Sequence, residues 1–296
     1  MAIFTIHNSG STSTLVEPEC SMSNGLPVMT IVGFAGRSLD ESKERIRSAF
    51  AASELQLPRK RITINISPSD IPKDGSHYDL PIALQILHEA KMIHPIKKDI
   101  IIFGELGLDG TVKPVRGILG RVLGAMKLGF DTFIVPAANE EQINLIEGIT
   151  YLPVVSLKEL YKQMASDEPL EFKTTTSSID TAQEETKNEL DFRDIVGQQR
   201  AKRALEIAAA GGHNIILNGP PGVGKSMLAK ALPSIMSSPS PQEVVTITHI
   251  HSLSNNDATT LIKTRPFRSP HHSSSDVAII GGGQNPRPGE VSLAHH

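Results

Sequence analysis

The 296-residue sequence has no tryptophan, only 4% aromatic residues and a single cysteine, Cys20. One cysteine excludes an intrachain disulfide, and no run of about 18 apolar residues is present that could cross a membrane. The N-terminal residues also lack the basic start and the long apolar stretch of a secretory signal. These absences predict a cytoplasmic chain, with no membrane partner, whose core is built from aliphatic side chains.

Charge is distributed unevenly although the net charge is only -3. Residues 1–164 carry a net charge of -1, residues 165–190 carry -5 and residues 191–296 carry +3. The middle segment is rich in Ser and Thr, and its apolar residues are too scattered to define a buried face, which is typical of a linker. We therefore predict two domains, at 1–164 and 191–296, joined by an acidic linker at 165–190.

Strand and helix patterns alternate in the first domain. Residues 61–67 (RITINIS) alternate apolar and polar side chains as a half-buried strand does, whereas residues 39–52 repeat apolar side chains at helical spacing. The short apolar runs TFIVP (132–136) and YLPVVS (151–156) also predict strands. The first domain is thus expected to mix α and β structure.

Two helix starts can be read from capping residues. Asp79 precedes LPIALQILHEA and is predicted to be its N-cap, with Pro81 in the first turn, where a missing N–H costs little. Ser156 and Glu159 have the spacing of a capping box before LKELYKQM.

The most specific motif is GPPGVGKS, which fits G-x-x-x-x-G-K-[ST] in full. The apolar stretch NIILN (214–218) precedes it and is predicted to be a strand, and SMLAKALPSIM follows as a helix that Pro233 perturbs. A P-loop requires this order of strand, loop and helix. The predicted nucleotide-binding residues are Gly219, Pro220, Pro221, Gly222, Val223, Gly224, Lys225 and Ser226.

The chemistry of this loop follows from its residue types. Glycines let successive backbone N–H groups turn toward phosphate oxygens. Lys225 supplies a point charge for the β and γ phosphates, and the Ser226 hydroxyl can bind the Mg²⁺ that bridges them. We therefore predict ATP and Mg²⁺ as ligands, with Ser226 as the metal-binding residue.

Hydrolysis would need a further acidic residue, which P-loop ATPases usually place at the end of an apolar strand downstream. The later acids are Glu243, Asp257, Asp276 and Glu290, and none of them ends an apolar run of four residues. We predict that this chain binds ATP but turns it over negligibly, and no catalytic residue is assigned.

Two further clusters lie beyond residue 248. Six of the eleven histidines are there, without a cysteine or a fixed ligand spacing, so polar loop or DNA-facing roles are favoured over a metal site. Basic residues also gather among prolines and glycines, where they could contact nucleic-acid phosphates or the nucleotide of a neighbouring subunit. These basic residues are Lys263, Arg265, Arg268 and Arg287.

Residues 191–233, together with RPFRSPHH (265–272) and GGGQNPRPGEVSLAHH (281–296), resemble the magnesium-chelatase-like AAA+ ATPases of the YifB/ComM family. The resemblance implies an α/β P-loop AAA+ domain, with residues 195–198 near the adenine. The family's Walker B strand would come next, so the domain is expected to be incomplete at its C-terminus.

The first domain resembles the Lon-protease-type domain, a ribosomal-S5-like α+β fold. PKDGSHYDLPIAL (72–84) and residues 104–140 carry this resemblance. It aligns His77 with the nucleophilic serine of active Lon enzymes and Arg121 with their activating lysine. Arginine stays protonated at physiological pH and cannot take a proton from a nucleophile. Ser76 lies beside the aligned position, and peptidase activity is not expected.

For the full-length protein, the family resemblance implies a DNA motor, acting as a helicase or branch-migration factor in recombination or natural transformation. It also implies single-stranded or branched DNA as a partner and a homo-oligomeric, hexameric ring. A protein-remodelling or magnesium-chelatase-type ATPase is the alternative, and the first domain could serve as a binding module only.

Overall fold

The computed structural model describes residues 3–9, 12–33, 37–71, 73, 75–95, 99–175, 190–254, 260–283 and 287–296. The described residues fall into two compact units, one within residues 1–178 and the other within 179–296. Among the helices of these residues, none is long and apolar enough to pass through a bilayer.

The first unit mixes strands and helices throughout its length, as predicted. A 3₁₀ turn at Ala137–Asn139 lies between its eighth strand and fourth helix. Its elements are β1 (Ile3–Ser9), β2 (Thr12–Ser23), β3 (Val28–Val32), α1 (Arg37–Ala52), β4 (Arg61–Ser67), α2 (Asp79–Glu89), β5 (Ile100–Ile102), β6 (Glu105–Leu106), β7 (Val112–Lys113), α3 (Ile118–Lys127), β8 (Thr132–Pro136), α4 (Glu140–Ile143), β9 (Thr150–Val154), α5 (Leu157–Ala165) and β10 (Lys173–Thr174).

Eight of these strands form one mixed sheet in the order β10-β9-β8-β5-β1-β2-β4-β3. The neighbours β9, β8, β5 and β1 run parallel to one another, as do β3 and β4, whereas β2 is antiparallel to both β1 and β4. Strands β6 and β7 form a separate antiparallel pair. Helices α2 and α3 pack on the central strands β1 and β2 of this sheet.

The apolar periodicities correctly located the core of this unit. The isoleucines of β4 (Ile62, Ile64 and Ile66) are each at most 1% exposed, and α1 buries Ile46 and Phe50 against the same cluster. All five residues of β8 are buried, which explains why its sequence is a continuous apolar run rather than an alternating one.

Asp79 is not the N-cap of α2, which corrects the sequence prediction. It is the first residue of the helix, Tyr78 occupies the cap position, and no side chain caps the helix. The Asp79 carboxylate instead accepts hydrogen bonds from Arg45 and from the backbone N–H of Leu106. By contrast, Ser156 is the N-cap of α5, because its hydroxyl accepts from the Glu159 N–H at 3.2 Å, which is the serine half of the predicted capping box.

The predicted linker begins inside the first unit. Strand β10 lies within residues 165–190 and pairs with β9 at the edge of the sheet. Thr175 is buried, and its hydroxyl accepts from the Ile149 N–H at 3.2 Å. The rest of the predicted linker, residues 176–189, lies outside the described residues.

The second unit is mainly helical. It begins with a 3₁₀ turn at Phe192–Asp194, and another 3₁₀ turn, Leu232–Ile235, contains Pro233, which ends the preceding α-helix as predicted. Its other elements are α6 (Gln199–Gly211), α7 (Lys225–Ala231), α8 (Pro241–Ser254), α9 (Asp276–Ile280), β11 (Gly281–Gly282), β12 (Arg287–Pro288) and α10 (Glu290–Leu293).

The sheet expected around the P-loop is not found among the described residues of this unit, whose only strands are the two-residue pair β11 and β12. Residues 214–218, predicted to be a strand, are therefore unpaired chain. Ile215 and Leu217 pack on a small core, whereas Ile216 is 90% exposed. The apolar pattern identified a segment that packs one face on the core, but a strand also needs a hydrogen-bonded neighbour.

Candidate nucleotide-binding site

The glycine loop 219–226 connects the extended segment 214–218 to α7. Gly222 and Gly224 have φ values of +83° and +91°, a region that L side chains rarely adopt. No described atom lies within 4 Å of a Cβ built at either position, so the requirement for glycine comes from the backbone and not from crowding. The loop is exposed from Gly219 to Val223, which leaves its backbone accessible to a ligand.

Lys225 is the first residue of α7, and its side chain folds back over the loop. The ammonium group donates to the carbonyl oxygens of Gly219 and Pro220 at 2.8 and 2.7 Å. The cation is thus held across the loop by weakly basic acceptors that phosphate oxygens can replace. Ser226 follows on the exposed surface.

Gln198 connects α6 to this loop, a contact that the sequence did not reveal. Its side-chain amide donates to the Val223 carbonyl at 3.1 Å, and its backbone adopts a left-handed conformation with φ +54°. The resemblance placed residues 195–198 near the adenine. The structure buries Ile195 in the small core and leaves Val196 94% exposed, so Val196 is the apolar side chain of that segment open to a base.

Two of the four clustered basic residues are neutralised within the chain. Arg268 binds both carboxylate oxygens of Glu290 at 2.6 Å, and Arg265 lies 3.4 Å from Glu243. The pKa of Glu243 is lowered to about 2, mainly by the backbone N–H of Ser240 and also by Arg265. The cluster therefore offers less positive charge to an external phosphate than its sequence indicates.

The C-terminal histidines do not gather into a metal site in the described part of the chain, where no group of three or more His, Cys, Asp or Glu side chains could hold an ion. His251 instead lies 3.0 Å from the Leu293 carbonyl and can donate to it through Nε2. The structure thus shows a packing contact for one of these histidines.

A second polar site lies in the first unit, where the resemblance to Lon aligned His77 and Arg121. The structure brings the two side chains together: Arg121 Nη1 lies 3.1 Å from His77 Nε2 and also donates to the Ile6 carbonyl at 2.8 Å. Because arginine can only donate, His77 Nε2 must be the acceptor, which places the imidazole proton on Nδ1. Burial and the Arg121 charge hold the pKa of His77 well below its usual range.

Ser76 faces a different partner from His77. Its hydroxyl donates to the carboxylate of Glu105, whereas the neighbouring Tyr78 hydroxyl lies 2.9 Å from His7 Nδ1. A hydroxyl that donates to a carboxylate has a candidate base, but that base is Glu105 and not the aligned Arg121. Ser76 is the only serine of residues 72–84. Its hydrogen-bond partner thus differs from those of the aligned pair, His77 and Arg121.

We expect the chain to leave casein and unfolded peptides intact, because the aligned nucleophile is a histidine whose Nε2 lone pair is occupied and the aligned base is a permanent cation. Peptide release is measured after long incubation, with Ser76→Ala as the comparison. Cleavage by the wild-type chain that disappears in Ser76→Ala would show that Ser76 is a nucleophile and that the alignment is wrong.

Two family models match the sequence. Residues 191–296 match magnesium chelatase, subunit ChlI, and residues 18–139 match subunit ChlI of Mg-chelatase. The two matches cover the glycine loop and the His77–Arg121 site, respectively.

Two curated relatives, YifB and ComM, match over nearly the whole length of the chain. It is 38% identical to YifB of Escherichia coli over 301 residues, which cover 100% of the chain and 58% of YifB. It is 36% identical to the competence protein ComM of Haemophilus influenzae over 294 residues, 99% of the chain and 58% of ComM. The Lon protease of Brevibacillus choshinensis is 29% identical over 167 residues, 51% of the chain and 21% of the protease. The chain thus spans somewhat more than half the length of YifB and ComM.

Proposed function

Because the chain belongs to the magnesium-chelatase-like family that includes YifB and ComM, we propose that it carries the nucleotide-binding loop of an AAA+ ATPase. The observation that supports this proposal is the exposed loop 219–226, with two glycines at positive φ and Lys225 lying over its carbonyls. The ligand is ATP or a related nucleotide together with Mg²⁺.

The residues of the loop fit a bound nucleotide. The backbone N–H groups between Gly222 and Ser226 would donate to phosphate oxygens, and Lys225 would exchange its two carbonyl acceptors for the β and γ phosphates. The exposed Ser226 hydroxyl would hold Mg²⁺, which neutralises charge on the phosphates. Gln198 would hold the loop through its hydrogen bond to the Val223 carbonyl.

Binding alone does not accelerate hydrolysis, since a site must bind the transition state more tightly than the ground state. Of the later acids in the described residues, Glu243 and Glu290 form ion pairs with Arg265 and Arg268. We therefore propose that the described residues provide nucleotide affinity and that these two carboxylates serve the fold rather than the attacking water.

For a protein of the relatives' full length, we propose a homo-oligomeric, hexameric ring that works on single-stranded or branched DNA. Support comes from the family and from the net charge of +3 in residues 191–296. Because Arg265 and Arg268 form ion pairs with Glu243 and Glu290, this net positive charge is weaker support for DNA binding. The alternative, remodelling of a protein or a chelatase-type activity, is favoured by the description of the matching family models.

Salt dependence separates the two functions. If DNA is the partner, binding of this chain to labelled single-stranded and branched DNA should weaken steeply as salt is raised, because each neutralised phosphate releases counterions. Fluorescence anisotropy at a series of salt concentrations gives the slope, and ATP hydrolysis by a protein of the relatives' length should rise when the same DNA is added. No DNA binding at low salt and no stimulation would favour a protein partner.

A further inference from the structure

Strand β3 (Val28–Val32) is the last strand at one end of the eight-stranded sheet, and among the described residues its backbone bonds only to β4. In a strand that is paired on one side, alternate backbone N–H and C=O groups point outward without a partner. Such groups can bond to a further strand. The outer edge of β3 is therefore a template for pairing with another chain segment.

The sequence of β3 lacks the charged and proline residues that usually block an exposed edge. It reads VMTIV. The opposite end of the sheet differs, because β10 is only two residues long and its Lys173 forms an ion pair with Glu140 at 2.6 Å. Of the two ends of the sheet, β3 thus offers the longer and more apolar edge.

Burial determines which side chains of β3 are available for contact. Met29 and Ile31 are 4% and 7% exposed and belong to the core, whereas Val28 and Val32 are each 41% exposed. Thr30 lies between the two valines, on the same face. Because the core side chains hold the strand in this orientation, the two valines and Thr30 share the outer face in every copy of the chain.

These three outer residues make β3 complementary to itself. A two-fold axis through Thr30 and perpendicular to the sheet would place two copies antiparallel, with Thr30 opposite Thr30 and Val28 opposite Val32. The core faces of both sheets would stay on the same side. Each exposed valine would then contact a valine of the other copy, and pairs of β-branched residues stabilise neighbouring strands.

Charge on the exposed sheet face favours the same antiparallel arrangement. Arg61 is exposed and lies beside Val28 on the adjacent strand. At the other end of β3, Val32 lies beside Asn65, whose amide donates to the exposed Glu19 carboxylate at 2.6 Å. The face is thus positive near Val28 and negative near Val32, so antiparallel pairing places the positive end of each copy beside the negative end of the other.

We propose that this edge binds β3 of a second copy of the chain, so that two first units form one continuous sheet through an antiparallel β3–β3 contact. A contact of five residues per copy is small beside standard protein interfaces, so the dimer should be weak and depend on protein concentration. The contact does not involve the nucleotide loop and is additional to the ring proposed above.

A cysteine cross-link tests the pairing of the two strands. In the dimer the Cα atoms of the two Thr30 residues would lie about 4.5 to 5.5 Å apart, a distance that a disulfide can span. Thr30→Cys should therefore form a covalent dimer on mild oxidation. The native Cys20 is retained, because burial raises the pKa of its thiol to about 12 and the thiolate is the reactive form.

Leu26→Cys is the matched control for the cross-link. Leu26 is 86% exposed, so random collisions would cross-link a cysteine at this position readily. It precedes Thr30 by four residues, which would place the two copies of residue 26 roughly 20 Å or more apart in the dimer. Leu26→Cys should therefore remain largely monomeric under conditions that cross-link Thr30→Cys.

Sedimentation velocity over a range of protein concentrations, without nucleotide, measures the association itself. Val32→Lys places a lysine opposite Val28 and near Arg61 of the other copy, at both symmetric positions, and should raise the dissociation constant of the dimer at least about 10-fold. Ser21→Lys adds the same charge to the exposed face of β2, away from the edge, and should leave the association unchanged. Circular dichroism shows whether both variants remain folded.

Three results would overturn the proposal. A chain that is monomeric at every concentration would leave the β3 edge without a second copy. Equal cross-linking of Thr30→Cys and Leu26→Cys would show random collision rather than strand pairing. Association that is equally strong in Val32→Lys and Ser21→Lys would place the contact elsewhere on the chain. The cross-linking result does not depend on the folding of Val32→Lys.

Discussion

Lys225→Ala is expected to weaken binding of Mg²⁺ and ATP to the chain by roughly 100-fold, which corresponds to one or two charge-assisted hydrogen bonds. Lys225 is the only cation in the loop, and it already lies over the carbonyls of Gly219 and Pro220. The alanine variant keeps the glycine backbone but lacks the charge that neutralises the β and γ phosphates. Isothermal titration calorimetry gives the affinity of both proteins.

Lys230→Ala is the matched control for this experiment. Lys230 also lies on α7, is exposed, and carries the same charge. Its removal lowers the net charge equally but leaves the loop intact, so the affinity should change only slightly. Equal losses in the two variants would mean that the overall charge attracts the nucleotide and that Lys225 has no special role.

Arg45→Ala is expected to lower the free energy of unfolding by about 3 to 5 kcal/mol, the cost of leaving a buried charge uncompensated. The Asp79 carboxylate is fully buried and accepts from Arg45 Nε at 2.6 Å and from the Leu106 N–H at 3.2 Å. Without Arg45, the Leu106 N–H remains as a donor to the Asp79 carboxylate, together with neighbours that interact with the carboxylate more weakly. Urea unfolding followed by far-ultraviolet circular dichroism measures the difference, and a loss below about 1 kcal/mol would contradict this role.

The destabilisation in Arg45→Ala should also grow with pH. Burial raises the pKa of Asp79 above its ordinary value of 3.8, and Arg45 opposes that increase. When Arg45 is removed, the folded-state pKa rises further while the unfolded value stays the same, so the folded variant holds its proton to higher pH than the unfolded chain. Stability of the variant therefore falls as pH rises above 3.8. The difference in the free energy of unfolding between wild type and Arg45→Ala should therefore be smaller in acid than at neutral pH.

Arg47→Ala separates the ion pair from a general effect on α1. Arg47 lies two residues further along the helix, is exposed, and forms a surface ion pair with Glu44. Exposed substitutions of this kind usually change stability by less than about 0.5 kcal/mol. The loss of unfolding free energy should therefore be several times larger in Arg45→Ala than in Arg47→Ala.

The sequence predicted elements whose cause is local and missed contacts that depend on distant residues. The alternating isoleucines of β4 and the Ser156 cap were correct because their signals lie within a few residues. Asp79 has the sequence context of a cap, but Arg45, 34 residues earlier, takes its carboxylate. A preference for capping cannot reveal a partner on another helix.

In the candidate nucleotide-binding site, too, the sequence predicted local features and missed contacts between distant residues. The motif predicted Gly219, Gly224 and Lys225 as site residues, and the structure adds the left-handed glycines and the lysine folded over the loop. The tether from Gln198 to Val223 joins residues 25 positions apart and has no motif of its own. The predicted strand at 214–218 is unpaired in the described structure, since pairing depends on a neighbouring strand that a local pattern cannot supply.

The most direct test of the nucleotide site is an amide NMR titration of the ¹⁵N-labelled chain with ATP, with and without Mg²⁺. We predict saturable shifts at the amides of Gly219 and residues 222–226, enhanced by Mg²⁺ at Ser226, while the amides of β4 in the first unit stay unchanged. Saturation without a response in residues 219–226, or shifts confined to the first unit, would contradict the assignment of the loop as the nucleotide-binding site.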